Sequence, residues 1–203
     1  MGTLHLIAGP EYSQEHLTEV IHEVLPWVDW IHLRMKGFTG KEVYQKAVRL
    51  IEATELPPEK LLINEHVDVA LALECGGVHL PEQSVLDPRM RSLLSDKNMR
   101  LGRSVHSVAA AHRGAMEGVD YLFFGHIYPS NSKPGLPPQG LEKLEQVVQA
   151  VDIPVFAIGG ITLERIQEVK KTGCAGVAVI TAIFNHSRPG LMAQAFKQSL
   201  LGG

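Results

Sequence analysis

Short apolar runs recur along the chain, each closed by turn or polar residues: 4-LHLIAG-9, 30-WIHLRMK-36, 61-LLINEH-66, 77-GVHLP-81, 100-RLGRSVH-106, 121-YLFFGH-126, 153-IPVFAIGG-160 and 176-GVAVIT-181. Runs of this length read as buried strands. Between them the apolar period becomes that of a helix. Leu17, Val20, Ile21, Val24 and Leu25 share one helical face, and so do Val43, Ala47, Leu50 and Ile51. Val108, Ala111, His112, Ala115 and Met116 predict another helix. Leu141, Leu144, Val147, Val148 and Val151 predict a fourth, and Leu163, Ile166, Val169 and Lys170 a weaker fifth. The stretch 88-PRMRSLL-94 carries the faintest helical signal.

A faint internal repeat runs through this alternation. Helix, glycine, strand recurs as ALECGGVHL, AMEGVDYLFF and VKKTGCAGVAVI. A glycine there suits a helix that ends in a left-handed residue before the next strand. The spacing is roughly 25 residues, right for one strand plus one helix. No linker rich in Ser, Pro or Gly divides the chain. Eight unbroken β-α units predict an α/β fold, a (β/α)8 TIM barrel forming a single domain over 1–203. An open doubly wound sheet is the alternative, and the even spacing favours closure.

In such a barrel, sites lie at the C-terminal strand ends. In the second run His32, Arg34 and Lys36 alternate with Ile31, Leu33 and Met35. Period two sends the polar three into the barrel and the apolar three toward the helices. Arg34 and Lys36 there suit a substrate anion, or a structural network with a carboxylate such as Glu65. The third run ends in Asn64, Glu65 and His66, and the fifth in Ser104, Val105, His106 and Ser107. Ser107 is a natural N-cap. Ser104 can offer a hydroxyl to a ligand or be a satisfied core serine. The seventh run ends in 157-AIGGIT-162 and the eighth in 179-VITAIF-184. Loops after strands seven and eight commonly hold phosphate on backbone N–H groups. Gly159 and Gly160 fit that use, with Ile180 and Thr181 as further backbone donors; a plain turn is the alternative.

Composition narrows the picture. The 203 residues are 45% hydrophobic and 20% charged, as in an ordinary globular protein, and the net charge of −3 gives no general attraction to nucleic acid or an anionic membrane. The start, MGTLHLIAGPEYSQ, lacks the basic and apolar regions of a signal peptide, and no run reaches membrane-spanning length. Cys75 and Cys174 have no metal spacing and read as reduced thiols, so the expected location is cytoplasmic. Nothing in the pattern sets the oligomeric state, and a homo-oligomer stays open.

Ten histidines demand selection. His5, His16, His22, His112 and His186 sit where solvation or packing explains them, and His79, mid-strand, reads as a core histidine. There is no H-x-H or H-E-x-x-H, so a zinc site has little support. His106 is an outside candidate. His126 follows Gly125 at the end of the sixth run, before the polar loop Pro129, Ser130, Asn131, Ser132 and Lys133. By position alone it is either an acid–base catalyst or one more packed imidazole.

The pieces 31-IHLRMK-36, 62-LINEHVDVALALECGGVHL-80, 121-YLFFGHIYPSNSK-133, 154-PVFAIGGIT-162 and 177-VAVITAIF-184 together resemble the thiamine phosphate synthase superfamily over nearly the whole chain. The segment 102-GRSVHS-107 and the pair Gly125–His126 are most similar to its thiazole tautomerase (TenI-type) branch. The departures from the synthase pattern are specific. His32 stands where synthases usually have Gln, and Glu65 where they have Asp. Pro81, Glu82, Gln83 and Ser84 replace an acidic cluster, and His126 replaces a common proline. Synthases use magnesium on a diphosphate, which calls for carboxylates. The resemblance therefore implies metal-free tautomerisation of a carboxylated thiazole phosphate, with no cofactor and a small molecule as partner. It implies His126 as the catalytic acid–base group and Gly159, Gly160, Ile180 and Thr181 at the phosphate. Arg34, Lys36, Asn64 and Ser104 would stand near the ring or carboxylate, and Tyr128, Pro129, Ser130 and Lys133 in a closing loop. A magnesium-dependent thiamine phosphate synthase and a non-catalytic regulatory homologue are the rival expectations.

Overall fold

The computed structural model describes residues 2–130 and 135–202. Its strands are β1 (Thr3–Ala8), β2 (Trp30–Leu33), β3 (Leu61–Asn64), β4 (Gly77–Leu80), β5 (Arg100–Val105), β6 (Tyr121–Gly125), β7 (Val155–Ile158) and β8 (Gly176–Val179). They pair parallel in chain order, and β8 pairs with β1, so the sheet closes into the expected (β/α)8 barrel. The helices are α1 (Gln14–Val24), α2 (Gly40–Thr54), α3 (Val67–Leu73), α4 (Pro88–Asp96), α5 (Val108–Met116), α6 (Gly140–Ala150), α7 (Ile166–Lys170), α8 (Thr181–Phe184) and α9 (Pro189–Leu201). Among the described residues no helix is long and apolar enough to cross a membrane.

Capping explains helices that apolar period alone barely announces. In α4 only Leu94 is buried, yet Asp87 accepts from Arg89 N and Pro88 takes the first helical position. Thr39 and Glu42 form a reciprocal capping box at α2. Ser107 caps α5 by accepting from Ala110 N, as its position predicts. The face of α5 differs from expectation. Ala110, Ala111 and Gly114 are buried, whereas His112 is exposed and Met116 is 89% exposed. Small residues let this helix lie close to the sheet, and that proximity, not side-chain hydrophobicity, selects the inner face. The C-terminal α9, which the period analysis did not single out, buries Ala193, Phe196 and Leu200 and packs on α1, α7 and β1 across the β8–β1 seam.

The repeat holds with one change. Gly118 and Gly173 take the left-handed conformation, at φ 79° each, but in the first copy it is Glu74, at φ 47°. A second recurrence emerges only in three dimensions. Asp29, before β2, accepts from Leu4 N at 2.7 Å while its own N–H bonds Leu4 O. Asp120, before β6, does the same to Leu101. Each half-buried carboxylate also meets a helix cation at 2.7 Å, Lys197 for Asp29 and Arg91 for Asp120. These pairs tie strand starts to their neighbours at the N-terminal mouth, opposite the candidate site.

Alternation along the strands separates two layers. Leu4, Leu6, Ala8, Ile31, Leu33, Leu61, Ile63, Val78 and Leu80 face the helices. Inside the barrel lie Ile7, Tyr121, Phe123, Phe156 and Ala178, together with the rings of His5, His32 and His79. The interior is thus aromatic and polar where barrels usually place branched aliphatic side chains.

Replacing Asp120 with Ala strands the Leu101 N–H and the Arg91 guanidinium at once. The expected cost is about 1.5–3 kcal/mol, the range for hydrogen bonds to charged groups. Urea unfolding of Asp120→Ala checks it, and an unchanged midpoint would count against the role given to the pair.

Candidate active site

The C-terminal mouth is organised by contact between the ends of β6 and β7. Gly159 and Gly160 have φ of 98° and 66°, conformations that side chains disfavour. A Cβ at Gly159 would lie 2.3 Å from His126 Cβ, and one at Gly160 2.5 Å from Pro129 O. Glycine is therefore needed here twice, for backbone angle and for close approach. The two segments are stitched by Ile127 N to Ile158 O at 3.0 Å and Tyr128 N to Gly159 O at 3.1 Å. The loop beyond folds back, with Gln139 N on His126 O and Gly140 N on Ile127 O.

His126 is 6% exposed and follows a cis peptide from Gly125. Its Nε2 lies 3.2 Å from Leu136 O. A carbonyl only accepts, so Nε2 carries the proton, and in the neutral ring Nδ1 keeps the lone pair. Glycine pair and imidazole thus stand side by side at adjacent strand ends.

The other expected site residues fall into groups. Asn64 is buried, and its Oδ1 is 3.3 Å from His32 Nδ1. Half-buried Ser104 has its Oγ 2.9 Å from His79 Nε2. Since the His32 and His79 rings are 5.4 Å apart, Asn64 and Ser104 join through the barrel interior. Arg34 is half-buried, its N–H bonds Ala8 O, and its charge is felt at His79. Lys36 departs from expectation. β2 ends at Leu33, a turn through Gly37 follows, and Lys36 is exposed on it. Once the chain leaves the sheet, period two no longer directs a side chain inward. Among the described residues no ion pair joins Arg34 or Lys36 to Glu65. Thr181 opens α8, with Ile180 as its preceding residue. Pro129 is exposed and packs by its carbonyl on Gly160, while Ser130 is half-buried. Lys133 lies outside the described residues.

Tyr128 turns its hydroxyl to Glu168 Oε1 at 2.6 Å, and Arg165 stacks 4.3 Å over its ring. Burial, then Glu168, pushes the phenol well above its ordinary range, so it remains a hydroxyl. Arg165 also donates to Gly160 O at 2.5 Å, which clamps the glycine turn. Sequence reasoning missed Arg165 and Glu168, whose only local signal was their place just after GGIT.

Sequence reasoning turned His32 into the barrel and read His79 as a core histidine, as they are, but missed the meeting of His32 with His79 and with His5. His5 Nδ1 is 2.9 Å from His32 Nε2, and His79 Nδ1 is 3.1 Å from Tyr121 OH. Burial pushes His32 down to about 3, with the Asn64 hydrogen bond opposing. Burial likewise holds His5 and His79 well below the usual imidazole value, helped by neighbouring positive groups. All three stay neutral at physiological pH.

The thiamine monophosphate synthase family (TMP-TENI) matches residues 4–183. The chain belongs to that family. A putative thiamine-phosphate synthase 2 of Aquifex aeolicus is 36% identical over 179 residues, covering 88% of this chain and 95% of the relative. The thiamine-phosphate synthase of Methanobrevibacter smithii is 31% identical over 193 residues, covering 95% and 92%. In three dimensions, thiamine phosphate pyrophosphorylase from Pyrococcus furiosus superposes with a TM-score of 0.80 at 28% identity, covering 98% of this chain and 95% of that one. A 3-hexulose-6-phosphate synthase reaches 0.76 at 16% identity, which speaks for the fold alone. Family membership places the chain among the enzymes of thiamine biosynthesis.

The magnesium that a synthase of this family implies can be weighed against the donors at the ends of β3 and β4. Glu65 is exposed just past β3. Glu82 is already engaged, accepting from His106 N at 2.8 Å and meeting His106 Nδ1 at 2.9 Å. Ser84 stands in the run that replaces the acidic cluster, its carbonyl held by Arg103, which also pairs with Glu117. Among the described residues no three His, Cys, Asp or Glu side chains gather as a metal site. Magnesium on a diphosphate is usually held through one or two carboxylates; with Glu82 tied to His106, Glu65 is the carboxylate of this pair left to serve it.

Two outcomes follow. Gly159→Ala forces a Cβ onto His126 at positive φ, with an expected loss of about 1–3 kcal/mol or more in stability; thermal melting checks it. The pH dependence follows from the depressed imidazoles. The unfolded chain binds their protons below about pH 6.5 and the folded chain does not, so stability is complete above that value and falls on acidification. Each such histidine contributes about 1.4 kcal/mol per pH unit between the unfolded and folded values. NMR titration should show His5, His32 and His79 unmoved from pH 8 until unfolding sets in; a native shift centred near 6.5 in any of them contradicts this.

Proposed function

We propose that the chain is a metal-free thiazole tautomerase acting on a carboxylated thiazole phosphate. The observation that carries this reading is an imidazole, His126, packed against the Gly159–Gly160 turn, where a barrel of this kind offers backbone N–H groups to phosphate. With Nε2–H held by Leu136 O, Nδ1 is the nitrogen able to take a proton. In this reading it removes the C2 proton of the non-aromatic ring, and a proton is delivered to the exocyclic carbon. The ring becomes aromatic, no electrons leave the substrate, and no metal or redox group takes part. Gly159, Gly160, Ile180 and Thr181 bind the phosphate, and Arg34, with Asn64 and Ser104, faces the carboxylate or ring. Lys36, exposed beyond β2, would reach the carboxylate or ring from the rim, and Tyr128, Pro129, Ser130 and Lys133 would form the closing loop.

A second reading, a magnesium-dependent thiamine-phosphate synthase, is favoured by the names of the relatives, and more directly than the tautomerase is. Against it stand the committed Glu82 and the serine at 84. Both readings use a thiazole phosphate.

One experiment separates them. Conversion of the thiazole tautomer is followed by proton NMR in the presence of a chelator. Wild type should convert it, and His126→Asn should be slower by about 10²–10⁴-fold. Equal rates in both proteins would sink the His126 mechanism. No conversion by either, with chelator-sensitive condensation of a pyrimidine diphosphate with the thiazole phosphate, would establish the synthase instead.

A further inference from the structure

Asn64 is held from beneath by two histidines that no reading above places in the site. Its Oδ1 can only accept, so His32 Nδ1 donates to it. His32 is neutral, so its Nε2 carries a lone pair, and His5 Nδ1 must donate in turn. That leaves His5 Nε2 as a second acceptor, buried and without a protein partner among the described residues. His5 lines a cavity of about 40 Å³ near the N-terminal mouth, with Trp30, Arg100 and Asp120. That is room for a water. Every hydrogen bond of the column points from the N-terminal mouth toward Asn64. His79 differs, because Tyr121 OH and Ser104 Oγ can each donate or accept, so its orientation is not dictated.

We propose that His5 and His32 are positioning residues: their one-way hydrogen bonds occupy the Asn64 carbonyl and turn its Nδ2–H2 group toward the mouth, as a donor to an anionic oxygen of the substrate. The oxygen belongs to a carboxylate or a phosphate, since either accepts. The ring stack around the column, with His5 4.4 Å from Phe156 and His32 4.9 Å from Phe123, leaves the imidazoles little freedom to turn over. The inference rests on Asn64 being a substrate contact.

Long-range ¹H–¹⁵N correlation spectra of the full chain read the tautomers directly. Nδ1–H is expected on both His5 and His32; Nε2–H on His32 overturns the proposal. Calorimetry with the aromatic carboxylated thiazole phosphate as probe reads the consequence, and it does so whether the chain isomerises or condenses that compound. Asn64→Ala and His32→Leu should each weaken binding about tenfold, and the double variant no more than either, as expected of groups acting through one contact. His32→Asn, whose amide overlays the Nδ1–H, should recover most of the loss. If Asn64→Ala weakens binding and His32→Leu does not, the positioning role is wrong while the substrate contact stands. If Asn64→Ala binds as wild type does, the contact itself is wrong and the inference falls with it. Should His32→Leu fail to fold, the wild-type tautomers decide.

Discussion

A closed parallel barrel has no wet face, so any polar side chain that points inward must find its partners inside. Three imidazoles occupy that space here. Charging one would place an ion among Phe123, Phe156 and Tyr121, with no carboxylate paired to it among the described residues, and desolvation keeps all three neutral. Neutral histidines in turn need a donor and an acceptor each. They find them in one another, in Tyr121, and in Asn64 and Ser104 at the mouth, save His5 Nε2, which has no protein partner among the described residues. Two hydrogen-bonded columns, His5–His32–Asn64 and Tyr121–His79–Ser104, therefore run from the interior to the mouth.

The second constraint is the approach of β6 to β7. A two-glycine turn at positive φ lets the backbone after β6 lie directly on it, and Arg165, just before α7, pins the turn. His126 gains its place from that packing and its tautomer from Leu136. The proposed acid–base role depends on both. The competing synthase reading depends on carboxylates, and there the chain has committed Glu82 to His106 and the Ser84 loop to Arg103.

All eight strands, their order and the closed barrel were legible in the sequence because alternation and turn residues are local signals that tertiary structure reinforces. So were the caps Ser107 and the strand-end positions of Asn64, Ser104, His126 and Gly159–Gly160. The inner face of α5 was not, since Ala110, Ala111 and Gly114 are chosen by proximity to the sheet and not by hydrophobicity. Nor was the exposure of Lys36, which depends on where β2 stops hydrogen-bonding to β1.

By itself the sequence determined the chain's architecture and the list of polar groups at its strand ends. The tertiary structure decided which of those groups touch. His5 and His32 are 27 residues apart, and His79 and Ser104 are 25 apart. No local period can pair residues at such separations, because their meeting depends on barrel closure and strand register. The same holds for Tyr128 with Glu168 and for Glu82 with His106. Chemistry-bearing residue types are written along the chain, but their protonation and direction are set only when burial removes water and leaves each one a particular neighbour.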